Sequence, residues 1–223
     1  MARGSPPLEH ISYGPLRLES LHYNYATQLE THFPEFLRRL ASTHPKCIIL
    51  PGTRSLHFNW LIKGLWRPLG LGKTPGIHPL ATLDKNKLDK APANAESRRR
   101  LIGTFEAKIE KWVTERRLHG ERLLVLDDVA MSGETLKLLK GALQKAGTVV
   151  TTAAFSDQRN HADISTGAYY GQGTFNFKQN VSRSSQHAGL KIAPRAETEY
   201  WANTRKLMKT IAHRIIENEA KPR

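Results

Sequence analysis

The hydrophobic positions in the first third of the chain predict a helix, a buried strand and a second helix. Apolar residues recur at helical spacing within residues 24–41, although Pro34 could kink or restart that helix; its inward stripe is Leu29, Phe33, Phe36, Leu37 and Leu40. Residues 47–50 form a short apolar run before Pro51-Gly52, which is typical of a buried strand that ends in a tight turn. Residues 55–66 return to helical spacing, and their inward stripe is either Leu56, Trp60 and Leu61 or Phe58, Ile62 and Leu65.

The alternation of helices and strands continues along the chain. Residues 95–118 predict a long helix, ended by His119-Gly120, with Leu101, Phe105, Ile109 and Trp112 inward and Arg98, Arg99, Arg100, Arg116 and Arg117 solvated. Residues 123–126 and 148–155 predict strands, separated by a helix over 136–146 that Gly147 ends. A last helix over 197–219 turns Trp201, Met208, Ile211 and Ile215 inward. This order predicts an α/β fold with a mainly parallel, twisted sheet flanked by helices.

Two segments break the pattern. Residues 67–94 hold five prolines and glycines between Pro68 and Gly76 and then a lysine-rich run, which predicts a long mobile loop with a short strand near 78–83. Residues 160–195 are rich in Gly, Ser and aromatic residues and predict a hairpin around Phe175 and Phe177. The expected organisation is an N-terminal helical segment or hood (1–44), an α/β core (45–158) and a C-terminal region with a basic helix (159–223).

Composition narrows the class of protein. The chain has 223 residues, of which 39% are hydrophobic and 24% charged, as expected of a soluble globular protein. Cys47 is the only cysteine, so an intramolecular disulfide is excluded, and its place in an apolar run indicates a buried strand residue. Since the sequence lacks an apolar signal core and a window of membrane-spanning length, we expect a cytoplasmic protein.

The charge is strongly positive but unevenly distributed. The net charge of +14 divides into +1 over residues 1–48, +8 over 49–120, −1 over 121–177 and +6 over 178–223. A basic excess fits a polynucleotide, a membrane surface or a small polyphosphate as partner, or else solvated helix faces. The near-neutral block between the two basic ones contains the clearest chemical motif.

That motif is an acid pair followed by a glycine turn. Asp127 and Asp128 follow the apolar run 123–126, at the end of a parallel strand where open α/β sheets bind their ligands. Ser132, Gly133 and Thr135 then lead into a helix, whose free N–H groups and positive dipole end suit a phosphate. Carboxylates beside a phosphate-binding turn fit a sugar phosphate as ligand. The purely structural alternative is that Asp127 and Asp128 cap a loop and Ser132 caps a helix.

The stretch LLVLDDVAMSGETL resembles the phosphoribosyl pyrophosphate signature of type I phosphoribosyltransferases. The resemblance implies that family's α/β fold, with Asp127 and Asp128 on the ribose hydroxyls, directly or through Mg²⁺, as catalytic residues and metal ligands. It also implies a turn that wraps the 5-phosphate, formed by Val129, Ala130, Met131, Ser132, Gly133, Glu134 and Thr135. In family members that act on 6-oxopurines, this turn contains an additional acidic residue. The corresponding residue in this chain is Met131, which disfavours that subclass.

A second segment matches the family's pyrophosphate loop. Gly52, Thr53, Arg54 and Ser55 follow the first core strand; Gly52 lets the backbone approach an anion and Arg54, a third expected catalytic residue, can clamp phosphate oxygens. Residues 67–94 resemble the family's flexible loop, with Lys73, Lys85, Lys87 and Lys90 as candidate phosphate contacts. For stacking on an acceptor base the candidates are Tyr169, Tyr170, Phe175 and Phe177, although core or hairpin packing is the favoured role of each.

Other motifs fit less well. Residues 70–74 suggest a Walker A loop, but Arg67 stands where its first glycine belongs and no apolar strand precedes it. The histidines are dispersed, so a zinc site is not expected.

Two functions follow from the residues and the resemblance. The first is a Mg²⁺-dependent phosphoribosyltransferase, active as a homodimer, that moves the phosphoribosyl group to an unidentified nitrogen acceptor and releases pyrophosphate. The second is a phosphoribosyltransferase-like regulatory or effector module that binds a nucleotide or nucleic acid with little or no catalysis, suggested by the basic helices 95–118 and 197–219. Neither reading involves a membrane.

Overall fold

Helices and strands alternate in the computed structural model, which describes residues 20–52, 54–80, 95–130, 132–157, 159–166 and 194–221. For residues 20–25, 54, 95, 194–201 and 203 it describes the backbone only. The elements are α1 (Ser20–Ala41), β1 (Cys47–Pro51), a 3-10 turn (Arg54–Leu56), α2 (His57–Leu65), β2 (Gly76–Leu80), α3 (Ala95–Glu115), β3 (Arg122–Ala130), α4 (Glu134–Lys145), β4 (Val149–Asp157), β5 (Ile164–Ser165) and α5 (Pro194–Glu219).

The strands form one five-stranded sheet in the order β2-β1-β3-β4-β5, and all neighbouring pairs are parallel. This confirms the predicted α/β class with a parallel sheet flanked by helices. The chain runs from β1 outward to β2 and, after α3, from β3 outward in the other direction through β4 to β5. The direction of winding therefore reverses between β1 and β3.

Two hydrophobic cores lie on the two faces of the sheet. On one face, α1, α2 and α5 pack over Leu124 and Leu126; on the other, α3 and α4 pack over Leu123 and Val125. Successive strand residues point to opposite faces, so a strand covered on both sides must be apolar at every position. This explains the continuous apolar run that the sequence shows at 123–126.

The first core is organised around aromatic rings. The predicted stripe of α1 is buried, and the helix continues through Pro34 without a break. Phe155 of β4 lies within 5.5–6.0 Å, between ring centroids, of Phe33, Phe36 and Phe58. We call these four residues the aromatic cluster; it joins α1, α2 and the sheet.

Ion pairs and a buried thiol complete the framework. Arg38 and Glu30 of α1 pair with Glu219 and Arg214 of α5, respectively. Cys47 is buried in β1, as predicted. Burial raises the pKa of its thiol to about 11, and the neighbouring charges have smaller effects of both signs.

The part of the chain that the structure describes contains no helix with the length and hydropathy needed to cross a bilayer.

Several boundaries differ from the sequence predictions. Of the two stripes predicted for α2, the second is buried throughout, at Phe58, Ile62 and Leu65, and Leu61 of the first is buried as well. The short strand within 67–94 starts at Gly76 rather than near 78, and β3 continues past 126 to Ala130, so that it includes the acid pair. The helix predicted to reach residue 118 ends at Glu115, because Arg117 takes a φ of 54°.

Burial along α3 and α5 follows the prediction in part. Phe105 and Ile109 are buried, Val113 joins them, and Leu101 and Trp112 are only half-buried. In α5, Met208, Ile211 and Ile215 are buried. Residues 81–94 and 167–193, which include the predicted hairpin around Phe175 and Phe177, and the side chain of Trp201 lie outside the described residues.

Candidate functional site

The two segments singled out from the sequence meet at the carboxyl edge of the sheet. The pairing of β1 with β3 ends at Ile49 and Val125, while β3 stays paired with β4 as far as Ala130 and Asp157. The helices that follow these strands, α2 and α4, leave on opposite faces of the sheet. In open α/β sheets such a reversal point opens a crevice beyond the strand ends, and ligands bind there.

Hydrogen bonds hold the two ends of the β1 loop, residues 52–55. Gly52 has a φ of 66° and its N–H donates to the carbonyl of Leu80 at 3.0 Å. Ser55 is fully buried, and its hydroxyl donates to the carbonyl of Pro51 at 2.7 Å. The 3-10 turn that begins in this loop contacts both β1 and β3. Thr53 and the Arg54 side chain lie outside the described residues.

The acid pair occupies the last part of β3, with one carboxylate on each face. Asp127 is half-buried, whereas Asp128 is only 3% exposed. Each Oδ1 accepts the next backbone N–H at 2.9 Å, from Asp128 and Val129 respectively. Because strand side chains alternate, Asp127 follows Val125 toward the α3 and α4 side, and Asp128 follows Leu126 toward the other. Asp127 is thus the carboxylate more open to a ligand.

The Gly133 turn, residues 130–135, leads from β3 into α4. Gly133 has a φ of 65°, a left-handed conformation that favours glycine, and no side chain of the described residues caps the helix. The Ser132 hydroxyl is 3.5 Å from the N–H of Glu134, too long for a useful hydrogen bond. Amides in a first helical turn have no intrahelical acceptor, so they can receive an anion. Met131 lies outside the described residues.

One basic side chain, that of Arg98, contacts this turn. Arg98, Arg99 and Arg100 are exposed in the first turns of α3, which starts at the carboxyl edge because it leads from β2 back to the beginning of β3. The Arg98 guanidinium lies 3.1 Å from Oε1 of Glu134 and so compensates the acidic charge of the turn. The arrangement favours an anionic ligand.

One predicted phosphate contact lies elsewhere. Lys73 precedes β2 by three residues, and β2 starts at the amino edge of the parallel sheet. Because five strand residues span about 16 Å, this lysine is at the far side of the sheet from the acid pair. Lys85, Lys87, Lys90, Tyr169 and Tyr170 lie outside the described residues.

Sequence reasoning missed Asp157 and His161. Asp157 ends β4 and is paired with Ala130, and its carboxylate accepts the N–H groups of Arg159 at 3.2 Å and Ala162 at 2.7 Å. The sequence does contain a signal for Asp157, because β4 ends at an acidic residue just as acidic residues follow the apolar run of β3. His161 packs against Gly133, a contact that no pattern in the sequence indicates.

The donor set suits a magnesium ion that is shared with a ligand. Within the described ranges, no group of three or more His, Cys, Asp or Glu residues could hold a metal ion. Mg²⁺ typically takes one or two carboxylates and completes its shell with water and substrate phosphates rather than with a protein cage. Asp127 fits that mode and could equally accept hydrogen bonds from hydroxyl groups, whereas Asp128 is buried and faces the other side of the sheet.

Comparison of the chain with protein-family models and with curated proteins found no match.

Proposed function

We propose that the protein is a Mg²⁺-dependent phosphoribosyltransferase that uses phosphoribosyl pyrophosphate as donor. One observation carries the proposal: the β1 loop and the acid pair, far apart in the sequence, lie together where the winding of the sheet reverses. The sequence resemblance assigns both segments to the same ligand. They can form a single site for that ligand only if they are neighbours in the fold. The N-terminus of α4 adds a place for a phosphate beside them.

Each part of the site has a role in this reaction. The Asp127 carboxylate accepts hydrogen bonds from the ribose hydroxyls, and the amides of the Gly133 turn hold the 5-phosphate. The β1 loop, with Arg54, receives the pyrophosphate. When bound, Mg²⁺ would be held by Asp127, the more open carboxylate, together with donor oxygens and would supply charge compensation for the leaving group.

Catalysis then rests on positioning. Cleavage of the bond from ribose C1 to pyrophosphate develops positive charge on the sugar and negative charge on the leaving group, while a nitrogen of the acceptor forms the new bond. Fixing the ribose and the pyrophosphate on separate segments of the sheet edge holds both partners in line. Donors aimed at the departing oxygens stabilise the charge as it forms.

The test is calorimetric titration with phosphoribosyl pyrophosphate and Mg²⁺. We expect Asp127→Asn to weaken binding about tenfold or more, which corresponds to the loss of a hydrogen bond to a charged group, and Asp127→Asn/Asp128→Asn to abolish it. Glu115→Gln, which changes an exposed acid at the other end of α3, is the matched control and should bind as wild type does. Unchanged affinity in the double variant would overturn the proposal.

A second candidate function is a module of the same fold that binds nucleic acid with little or no catalysis. Arg205, Lys206 and Lys209 are exposed on α5, and none of the three forms an ion pair with another described residue. Such uncompensated cations suit a phosphate backbone, whose binding weakens steeply with salt. Salt-sensitive binding of RNA or DNA without pyrophosphate release would favour this module, and pyrophosphate release in the presence of an acceptor would favour the transferase.

A further inference from the structure

Exposed arginines lie together at the amino edge of the sheet, at the opposite end of the strands from the candidate site. Arg122 is the first residue of β3, and its carbonyl accepts the N–H of Lys46, which precedes β1, at 2.7 Å. The helix α3 ends at Glu115, and Arg116 and Arg117 begin its short connection to β3. We call Arg116, Arg117 and Arg122, all of which are exposed, the amino-edge arginines.

The contacts of this connection keep its positive charges close to the strand starts. Arg117 takes a φ of 54°, and its N–H donates to the carbonyl of Thr114 at 3.0 Å, so the chain turns back from α3 toward β3. Burial raises the pKa of the Cys47 thiol, and the charges of Arg116 and Lys46 lower it in part. Because such effects weaken with distance, both cations lie near the start of β1.

The acidic residues at this edge are already paired. Glu121 lies 3.3 Å from Nζ of Lys46, and Glu115 lies 3.8 Å from Nζ of Lys111. None of the amino-edge arginines forms an ion pair with another residue that the structure describes. A helix C-terminus favours nearby cations, which explains the two arginines after α3, but Arg122 begins a strand and has no such explanation. The uncompensated charge is complementary to a polyanion.

One of these arginines is stacked on an aromatic ring. The guanidinium of Arg116 lies over Trp112, 5.1 Å from the ring centroid, and the half-buried indole meets the ring of His78 edge-on at 5.7 Å between centroids. Stacking orients the guanidinium plane, whose side chain remains exposed. Unpaired bases stack on guanidinium planes and aromatic rings, whereas the bases of a duplex are stacked on one another. The combination favours a single strand over a duplex.

We propose that the amino-edge arginines bind a single-stranded nucleic acid. In this assignment Arg117 and Arg122 contact backbone phosphates, and the guanidinium of Arg116, supported by Trp112, stacks on a base. The surface is separate from the cations of α5, because α5 packs in the first core and Trp112 packs against the second. It is also remote from the acid pair, so a nucleic acid bound here would leave the candidate site open. The inference goes beyond the proposed transferase and does not depend on it.

The experiment follows the fluorescence anisotropy of a labelled, mixed-sequence single-stranded oligonucleotide with the full chain over a range of salt concentrations. Arg117→Gln/Arg122→Gln should weaken binding about tenfold or more near 0.1 M salt, and the slope of log K against log salt should fall by about 1.4, as for two lost phosphate contacts. Arg116→Lys keeps the charge but removes the planar group. It should weaken binding about fivefold or more, as for one lost stacked base, with little change in the slope.

The control variant is Lys108→Gln/Lys137→Gln, which removes the same charge from exposed positions on α3 and α4. It should bind the oligonucleotide as wild type does. An equal loss in the control and in Arg117→Gln/Arg122→Gln would show a response to net charge alone and would overturn the inference. Equal affinity of the wild type for a duplex of the same sequence would overturn the assignment to a single strand.

Two further outcomes separate this surface from the other proposals. If Arg205→Gln/Lys206→Gln abolishes binding while Arg117→Gln/Arg122→Gln leaves it unchanged, the nucleic acid binds α5 and the inference is wrong. Failure of the wild type to bind the oligonucleotide overturns it as well but leaves the proposed function intact. Titration with phosphoribosyl pyrophosphate and Mg²⁺ tests that function independently, and Arg117→Gln/Arg122→Gln should bind this donor as wild type does.

Discussion

Gly133 is the residue at which the site tolerates least change. Its φ of 65° and the contact with His161 restrict the position independently, the first through the backbone and the second through the neighbouring ring. Gly103, in contrast, lies exposed in α3 with open space where a Cβ would project. The two glycines therefore provide opposite expectations for the same substitution.

Gly133→Ala should destabilise the protein by at least about 1 kcal/mol, because a left-handed conformation costs an alanine that much before any contact is counted. Gly103→Ala should be stabilising by about 0.5–1 kcal/mol, since alanine is favoured within a helix. Adding His161→Gly to Gly133→Ala removes the Cβ of residue 161 as well as its ring, so the double variant should recover the part due to the contact. Urea unfolding measures all three, and a neutral Gly133→Ala would contradict the backbone geometry described for the turn.

Residues of the site could be predicted from the sequence only where the signal is local. The acid pair, Ser132 and Gly133 follow one another along the chain, so their order alone indicated a ligand site. His161 is close to the same turn only because β4 lies beside β3 and Asp157 folds the following loop back. No sequence spacing encodes that contact, and the same holds for Arg98, which reaches Glu134 from another helix.

At the scale of elements, β3 shows why the ends of a strand were harder to predict than its presence. The apolar run stops at Leu126, where the acid pair begins, yet the ladder with β4 continues to Ala130, which is buried in the second core. A change from apolar to acidic residues marked neither the end of burial nor the end of the strand. In α2, both stripes satisfied helical spacing, and only packing against α1 and α5 selects the one that contains Phe58.

Substitution of Phe155 tests how the helices of the first core pack on the sheet. Phe155→Ala should cost about 3–5 kcal/mol, as expected when a buried aromatic side chain is removed, because it deletes the ring of β4 that contacts both α1 and α2. Val149 begins the same strand but is 57% exposed, so Val149→Ala should change stability by no more than about 0.5 kcal/mol. Chemical denaturation compares the two variants, and equal effects would contradict the assignment of Phe155 to the core.

At the scale of the whole molecule, stability in acid should depend on the loop after β4. Asp163 accepts the N–H and hydroxyl of Thr152 and pairs with Lys140. Although burial raises its pKa, the Lys140 and Thr152 contacts outweigh that effect, so the pKa of Asp163, like that of Asp157, lies below the ordinary value of 3.8. The unfolded chain binds these protons more readily than the folded one does.

The sign of the pH effect follows from this. The stability that these carboxylates contribute is fully present above pH 3.8 and is lost as pH falls through their lowered folded values. Asp157→Asn should therefore be less stable than wild type at about pH 7, and the difference should shrink toward about pH 3. Urea unfolding across that range measures it, with Glu115→Gln as control; a difference that is independent of pH would show that protonation of Asp157 is not linked to folding.

The hydrogen bonds of the β1 loop have a consequence for how tightly any ligand is held. The Gly52 N–H and the Ser55 hydroxyl already have acceptors within the protein, at Leu80 and Pro51. Ordering a backbone residue costs about 1–2 kcal/mol of conformational entropy, and here that cost is met during folding. A ligand that contacts Gly52 or Ser55 meets backbone that is already ordered, and it retains more of its contact energy as affinity.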